Sequence, residues 1–208
     1  KNSVPYPLTV VISSVVASCR PLCDSLFDDR RKYRTIWIGG GHDLPVTIAY
    51  KNPRTLGTDR VANALYCHYR FPHRTVVVID AGTTITVDCV ENGERFVGGV
   101  IIPGLSMQME ALHRGTDALP EIDKSFDSGI DFPGTSTEAC IFQGVFLGTA
   151  GAVSRCIDTY HEHYGTEIVI AATGGSWDAL KGTVSFSAEH IPDLTLIGTG
   201  MYLRAWRT

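Results

Sequence analysis

The stretch RTVVVIDAGTTITVDCV, residues 74–90, decides how this chain is read. An apolar run stops on Asp80, turns through Gly82-Thr83-Thr84, and resumes as a second apolar run towards Asp88. The alternation predicts two paired strands with a very short connection. The connection admits two readings. It is an ordinary hairpin turn, where Asp and Gly are common for conformational reasons. Or it is a loop that offers backbone N–H groups and a threonine hydroxyl to a phosphate, because glycine lets the backbone come close. In the second reading Asp80 would repel the anion unless a cation lay between them, so Asp80 becomes a candidate metal ligand.

A second stretch, LGTDR (residues 56–60), precedes a run with helical spacing at Val61, Ala64 and Leu65. Thr58 or Asp59 is the expected N-cap. A carboxylate at a helix start can accept a proton from an attacking hydroxyl, and the adjacent Arg60 can hold an anionic group. An N-cap aspartate beside a surface arginine is the plainer alternative for these five residues.

The rest of the chain predicts a mixed sheet with helices on its faces. Strands are expected at residues 8–16, 34–40 and 46–50, then at VVVID, TITVDCV and GERFVGGVIIPG, and later at EIVIAATGG. Helices are expected at 21–32, from residue 58 through RVANALYCHYRF, at LSMQMEALHRG and at 137–164. A loop is expected over 116–134, and LKGTVSF with HIPDLTLIGTGMYL closes the chain as a last strand segment and a helix. Gly144, Gly148 and Gly151 fall on one flank of the long helix. Each costs roughly 1 kcal/mol against alanine, so the trio predicts a close helix contact, with a subunit interface as one form of it.

Composition narrows the function classes. The chain has 208 residues, 44% apolar and 19% charged, with a net charge of −4. That suits a globular core and excludes the basic excess of a nucleic-acid binder. The densest charge run, DDRRKYR (28–34), reads as a solvated helix end or loop. The six cysteines form no C-x-x-C pair and sit largely in apolar runs, which predicts a reducing, cytoplasmic setting. His161 and His163 around Glu162 lack zinc spacing. No uncharged apolar run reaches the roughly 18 residues a membrane helix needs, so no membrane partner is expected. There is no G-x-x-x-x-G-K-[ST], G-x-G-x-x-G or G-x-S-x-G motif.

Taken in order, SSVVAS (13–18), AYKNPRTLGTDR (49–60), VVVIDAGTTITVD (76–88), FVGGVIIPG (96–104), ALPEI (118–122), STEACIFQG (136–144), ATGG (172–175) and LTLIG (194–198) resemble type III pantothenate kinase. The spacings agree too, nine residues from Tyr50 to Asp59 and 21 from Asp59 to Asp80. The resemblance covers about residues 10–203. It implies an α/β, ribonuclease-H-like (actin-like ATPase) fold in two similar halves, here residues 1–73 and 74–208. It also implies ATP-dependent phosphorylation of pantothenate to 4′-phosphopantothenate, the first step of coenzyme A synthesis. Mg2+ and a monovalent cation (K+ or NH4+) are the implied cofactors, and a homodimer the implied assembly.

Residue by residue, Asp59 resembles the family's proton acceptor. Tyr50, Gly57, Thr58 and Arg60 resemble its acceptor site, with Thr137 reaching a neighbouring subunit's site. Asp80 resembles the monovalent-cation ligand, and Gly82 with Thr83 the phosphate contact. Gly174 and Gly175 would lie near the adenosine. The chain departs from the family at its front, where a strand and a D-x-G-N-T phosphate loop are usual. Either these residues are part of a longer protein or half of the ATP grip has been lost; the first half as it stands lacks its N-terminal strands, and without that loop a weak grip on ATP is expected. Ala17 stands where proline is usual, and Thr135-Ser136 where Lys-Asn is usual. A non-catalytic transcriptional accessory factor of the same family is the alternative function, and a sugar or acetate kinase fits the motifs poorly.

Overall fold

A computed structural model describes residues 7–40, 43–122 and 132–205. Part of the expected 116–134 loop lies outside the described residues. Two compact units emerge. The first holds residues 1–76, 90–98 and 193–208, and the second residues 77–89 and 99–192. The sequence places a single cut between residues 73 and 74. In the structure one cut falls three residues later, and two further segments return to the first unit. Such returns cannot be read locally, because a C-terminal helix packs where its apolar face is wanted rather than where the chain order puts it.

In the first unit, β1 (Leu8–Ile12) and β2 (Tyr33–Trp37) pair in parallel, with Leu8 opposite Tyr33 and Ile12 opposite Trp37. The crossover carries α1 (Cys19–Leu26), shorter than the expected 21–32. Arg20 holds this helix to β2 by placing its guanidinium 4.2 Å above the Trp37 ring, and Trp37 Nε1 donates to Asp24 Oδ1 at 3.3 Å. The helix stops because the following charge run folds into a turn, where Lys32 and Tyr33 both donate backbone N–H groups to the Asp29 carbonyl. The short β3 (Thr47–Ile48) pairs in parallel with the start of β6 (Arg95–Pro103), with Ile48 opposite Phe96.

The main helix of this unit is α2 (Thr58–Arg70). Its N-cap is Gly57 rather than Thr58 or Asp59, and no side chain caps it. Residues 60–67 are all buried, so the helix is enclosed well beyond the single apolar face predicted from Val61, Ala64 and Leu65. The covering comes from α6 (Leu194–Ala205), far along the chain. Thr195 Oγ1 donates to the side-chain oxygen Asn63 Oδ1 at 2.8 Å, which satisfies a polar group inside the contact. Val61, Leu65, Leu194 and Tyr202 are essentially inaccessible. Each such side chain contributes roughly 1.5–3 kcal/mol by leaving water.

In the second unit the sheet runs in the order β6, β5 (Thr84–Glu91), β4 (Val76–Ala81), β7 (Val169–Thr173), β8 (Glu189–His190). β4 and β5 form the predicted hairpin, joined by Gly82 and Thr83 alone. β7 and β8 are parallel, with Ala172 opposite His190. The expected strand segment in LKGTVSF is instead a turn after the short α5 (Trp177–Leu180), where Thr183 and Val184 donate to the Leu180 carbonyl. Two helices complete the unit, α3 (Leu105–Arg114) and α4 (Thr137–Tyr164).

The bounds of α4 match the sequence reading. Ser136 Oγ caps it by accepting from the Ala139 N–H, and Gly165 ends it at φ 79°. By length and hydropathy alone it could span a membrane, with an 18-residue window of mean hydropathy 1.4. Here Ile141, Val145, Phe146, Ala150, Val153 and Ile157 recur at helical spacing and are buried. Gly144, Gly148 and Gly151 mark no close contact among the described residues, since a Cβ at any of them would meet none of these within 4 Å.

Candidate functional site

The candidate residues fall into two groups, one in each unit. The first surrounds the N-terminus of α2. Asn52 caps the preceding 3-10 turn by accepting from the Arg54 N–H, and buried Leu56 anchors the entry to the helix. Asp59 then sits in the first helical turn, where unpaired amides and the helix dipole favour an anion. Its Oδ1 accepts from the Arg60 N–H at 2.8 Å. Gly57 permits that posture, because a Cβ there would stand 2.5 Å from the same oxygen. Thr58 is held by Ser13, whose hydroxyl donates to Thr58 Oγ1 at 3.0 Å.

Arg60 is not the surface arginine of the plainer reading. It is 6% exposed. Its guanidinium carbon lies 5.7 Å from the ring centre of Tyr50 and 5.4 Å from that of Phe96. Two aromatic faces around a planar cation fix the direction in which its donors point. Phe96 and Ser13 were not foreseen as site residues. Both lie inside stretches that carried the resemblance, FVGGVIIPG and SSVVAS, but a motif match does not say which side chain supports which.

The second group is built on the β4–β5 turn. Asp80 is half-buried at the end of β4, 3.7 Å from where a Cβ on Gly82 would stand. The Gly82 N–H folds back to the Thr84 carbonyl at 3.0 Å. The carbonyls on either side of Gly82 are taken by outside donors. The Ser176 N–H bonds Ala81 O at 2.9 Å, and the Gly104 N–H bonds Thr83 O at 3.0 Å. Gly174 presses on the Ala81 backbone, with its Cβ position 2.5 Å from the Ala81 carbonyl carbon and its φ at 93°. Only glycine takes both the contact and that φ without strain.

Thr83 itself is exposed, and neither its amide nor its hydroxyl hydrogen-bonds to the described residues. The turn is thus a tight hairpin and also a loop with two donors to offer. Those donors suit phosphate oxygens, and Asp80 next to them suits a cation, so both implied groups fit the residues present. Gly175 and Thr137 are exposed, Thr137 at the first position of α4. Neither hydrogen-bonds to the turn among the described residues. No cluster of three or more His, Cys, Asp or Glu gathers among the described residues.

Comparison with known proteins settles the family. The family model described as type III pantothenate kinase matches residues 1–159. The chain belongs to that family. Among relatives of the same description, the one from Porphyromonas gingivalis is 38% identical over 170 residues, covering 81% of this chain and 69% of its own. The one from Legionella pneumophila strain Paris is 35% identical over 190 residues, covering 90% and 72%. A solved structure of a conserved Baf family protein from Campylobacter jejuni shares the fold at TM-score 0.60 and 20% identity, covering 93% of this chain and 81% of that one. The α/β class expected from the sequence, a mixed sheet with helices, is what this type III pantothenate kinase family member shows. Membership in a kinase family carries ATP use with it.

Proposed function

We propose that this protein phosphorylates pantothenate, transferring the γ-phosphoryl group of ATP to its primary hydroxyl to give 4′-phosphopantothenate and ADP. The observation that carries this reading is Asp59, folded into the first turn of α2 beside an Arg60 held between Tyr50 and Phe96, in a chain of this kinase family. Arg60 binds the pantothenate carboxylate and thereby sets the register of the substrate. Asp59 accepts the hydroxyl proton as the hydroxyl oxygen bonds to phosphorus and the bond to the ADP oxygen breaks. Thr58, fixed by Ser13, and Gly57 shape the wall around that hydroxyl, and Tyr50 closes over the substrate.

Thr83 donates its amide and hydroxyl to the ATP phosphates, with Gly82 leaving room for their approach. Asp80 holds a monovalent cation, K+ or NH4+, and Mg2+ accompanies ATP. When bound, these ions neutralise phosphate charge. Gly174 and Gly175 receive the adenosine. The protein works in the cytoplasm as a homodimer, without nucleic-acid or membrane partners, and Thr137 completes the acceptor site of the neighbouring subunit. Residues 1–73 and 74–208 derive from two ribonuclease-H-like halves.

A coupled assay of ADP release with pantothenate and Mg-ATP, in K+, NH4+ or Na+, tests the proposal. The expected result is turnover that depends on pantothenate, needs K+ or NH4+, and drops roughly 10²–10⁴-fold in Asp59→Asn. ADP release indifferent to pantothenate would overturn it. The transcriptional accessory reading is not favoured by the relatives, which carry the kinase description.

A further inference from the structure

Three hydrogen bonds connect helix α4 to the backbone of Thr83 without passing through any residue assigned a role above. Gln108, on the first turns of α3, uses both hydrogens of its side-chain amide. Nε2 donates to Thr149 Oγ1 on α4 at 2.8 Å and to the Pro103 carbonyl at 2.7 Å. The next residue, Gly104, donates its N–H to the Thr83 carbonyl at 3.0 Å. The Gln108 backbone N–H closes the helix start by bonding Gly104 O at 3.0 Å. The Pro103–Gly104 step is therefore gripped twice by one residue, at the Pro103 carbonyl by the Gln108 side chain and at the Gly104 carbonyl by its backbone.

Contact geometry makes the Gly104 junction exacting. A Cβ on Gly104 would collide with the Thr83 carbonyl oxygen and stand 2.6 Å from that of Gly82. Gly104 has φ −67° and ψ 166°, a conformation every residue adopts. Its glycine is therefore required by the closeness of the Thr83 loop and not by its own backbone. Thr149 is buried, so the far end of the chain of bonds rests in the core of the second unit. A fixed end, a relay and a close-fitting contact are what a positioning device needs, since misplacing reacting groups by about 1 Å can cost 10²-fold.

We propose that Gln108 and Gly104 are positioning residues that set the Thr83 loop for the phosphates of ATP. The inference rests on the reading of Thr83 as the phosphate contact. Steady-state kinetics of Gln108→Leu, Gly104→Ala and Thr83→Ala test it, with thermal unfolding of each variant alongside. In Gln108→Leu the KM for ATP rises about tenfold, the equivalent of a lost hydrogen bond, while the KM for pantothenate and the unfolding temperature stay near those of the parent protein. Gly104→Ala shows the same split, larger, with a loss in kcat.

The split is what a merely structural role would not produce. Equal loss for both substrates, or loss that follows unfolding temperature, would overturn the positioning role. So would unchanged kinetics in both variants. Should Gly104→Ala not fold, Gln108→Leu decides alone, since its side chain is only half-buried. An unchanged ATP KM in Thr83→Ala would sink the phosphate reading itself, and the clasp with it. A raised ATP KM in Thr83→Ala with none in Gln108→Leu would sink the clasp only.

Discussion

The guanidinium carbon of Arg60 lies 5.4 Å from the ring centre of Phe96, a residue with no accessible surface. The ring supports the cation from one side while half-buried Tyr50 supports it from another. Replacing Phe96 by leucine removes a cation–π contact worth about 0.5–2 kcal/mol and leaves Arg60 freer to swing. The expected outcome is a KM for pantothenate raised roughly three- to tenfold, with the KM for ATP unchanged. A tryptophan at the same place would keep the contact but overpack the core. Substrate-saturation curves for each substrate in Phe96→Leu check the split.

Gly174 stands against the Ala81 backbone at φ 93°. Alanine there meets two penalties, a left-handed conformation that costs L residues about 1–2 kcal/mol and a collision with main chain that has no rotamer to yield. Gly174→Ala is expected to lower stability by more than about 2 kcal/mol. Urea unfolding measures it. An unchanged midpoint would mean that the β7–α5 turn is softer than its contacts indicate.

Much of this was legible in the sequence where a signal is local. The long helix showed both ends because Ser136 and Gly165 are strong punctuation. The β4–β5 hairpin showed itself by alternation around Gly82-Thr83. What stayed hidden depends on partners far along the chain. Arg60 and Asn63 look like the polar face of α2, yet both are buried, because α6 and Phe96 arrive from elsewhere to cover them. Gly144, Gly148 and Gly151 read as a contact stripe, but composition cannot say whether the surface they face is inside the chain. A hairpin at Asp80–Thr84 does not rule out the phosphate reading, which stays a proposal. The turn is a hairpin, and the amide and hydroxyl of Thr83, which have no partner among the described residues, are the groups the phosphate reading needs.

Cys156 on α4 is half-buried, and that burial pushes its thiol above the usual cysteine range. The thiolate is the reactive form, so a raised pKa and partial cover both slow alkylation. Cys140 on the same helix is exposed. Under native conditions at pH 8, iodoacetamide is expected to label Cys140 well before Cys156. Mass spectrometry of timed samples reads the order. Raising the pH towards 9.5 narrows the gap, because more of the Cys156 thiol is then ionised. Equal rates at pH 8 would contradict the packing around the C-terminal half of α4.

The closest test of the acceptor-site geometry is Gly57→Ala. Gly57 has φ −55° and ψ 139°, which alanine adopts without strain. The N-cap position tolerates the change at modest cost, a few tenths of a kcal/mol to about 1 kcal/mol. What alanine cannot share is the space 2.5 Å from Asp59 Oδ1, with Val15 Cγ1 3.6 Å away on another side. The Asp59 carboxylate must therefore leave its bond with the Arg60 N–H or rotate out of the first turn. If Asp59 is the proton acceptor proposed above, displacing it in this way is expected to lower kcat on the order of 10²-fold with little effect on either KM. Asp59→Asn loses the charge but keeps the posture, so the two variants separate position from basicity. If Gly57→Ala kept full kcat, the carboxylate orientation seen here would not be the one in which the hydroxyl is deprotonated. If instead both KM values rose with kcat unchanged, Gly57 would belong to the binding wall and not to the support of Asp59.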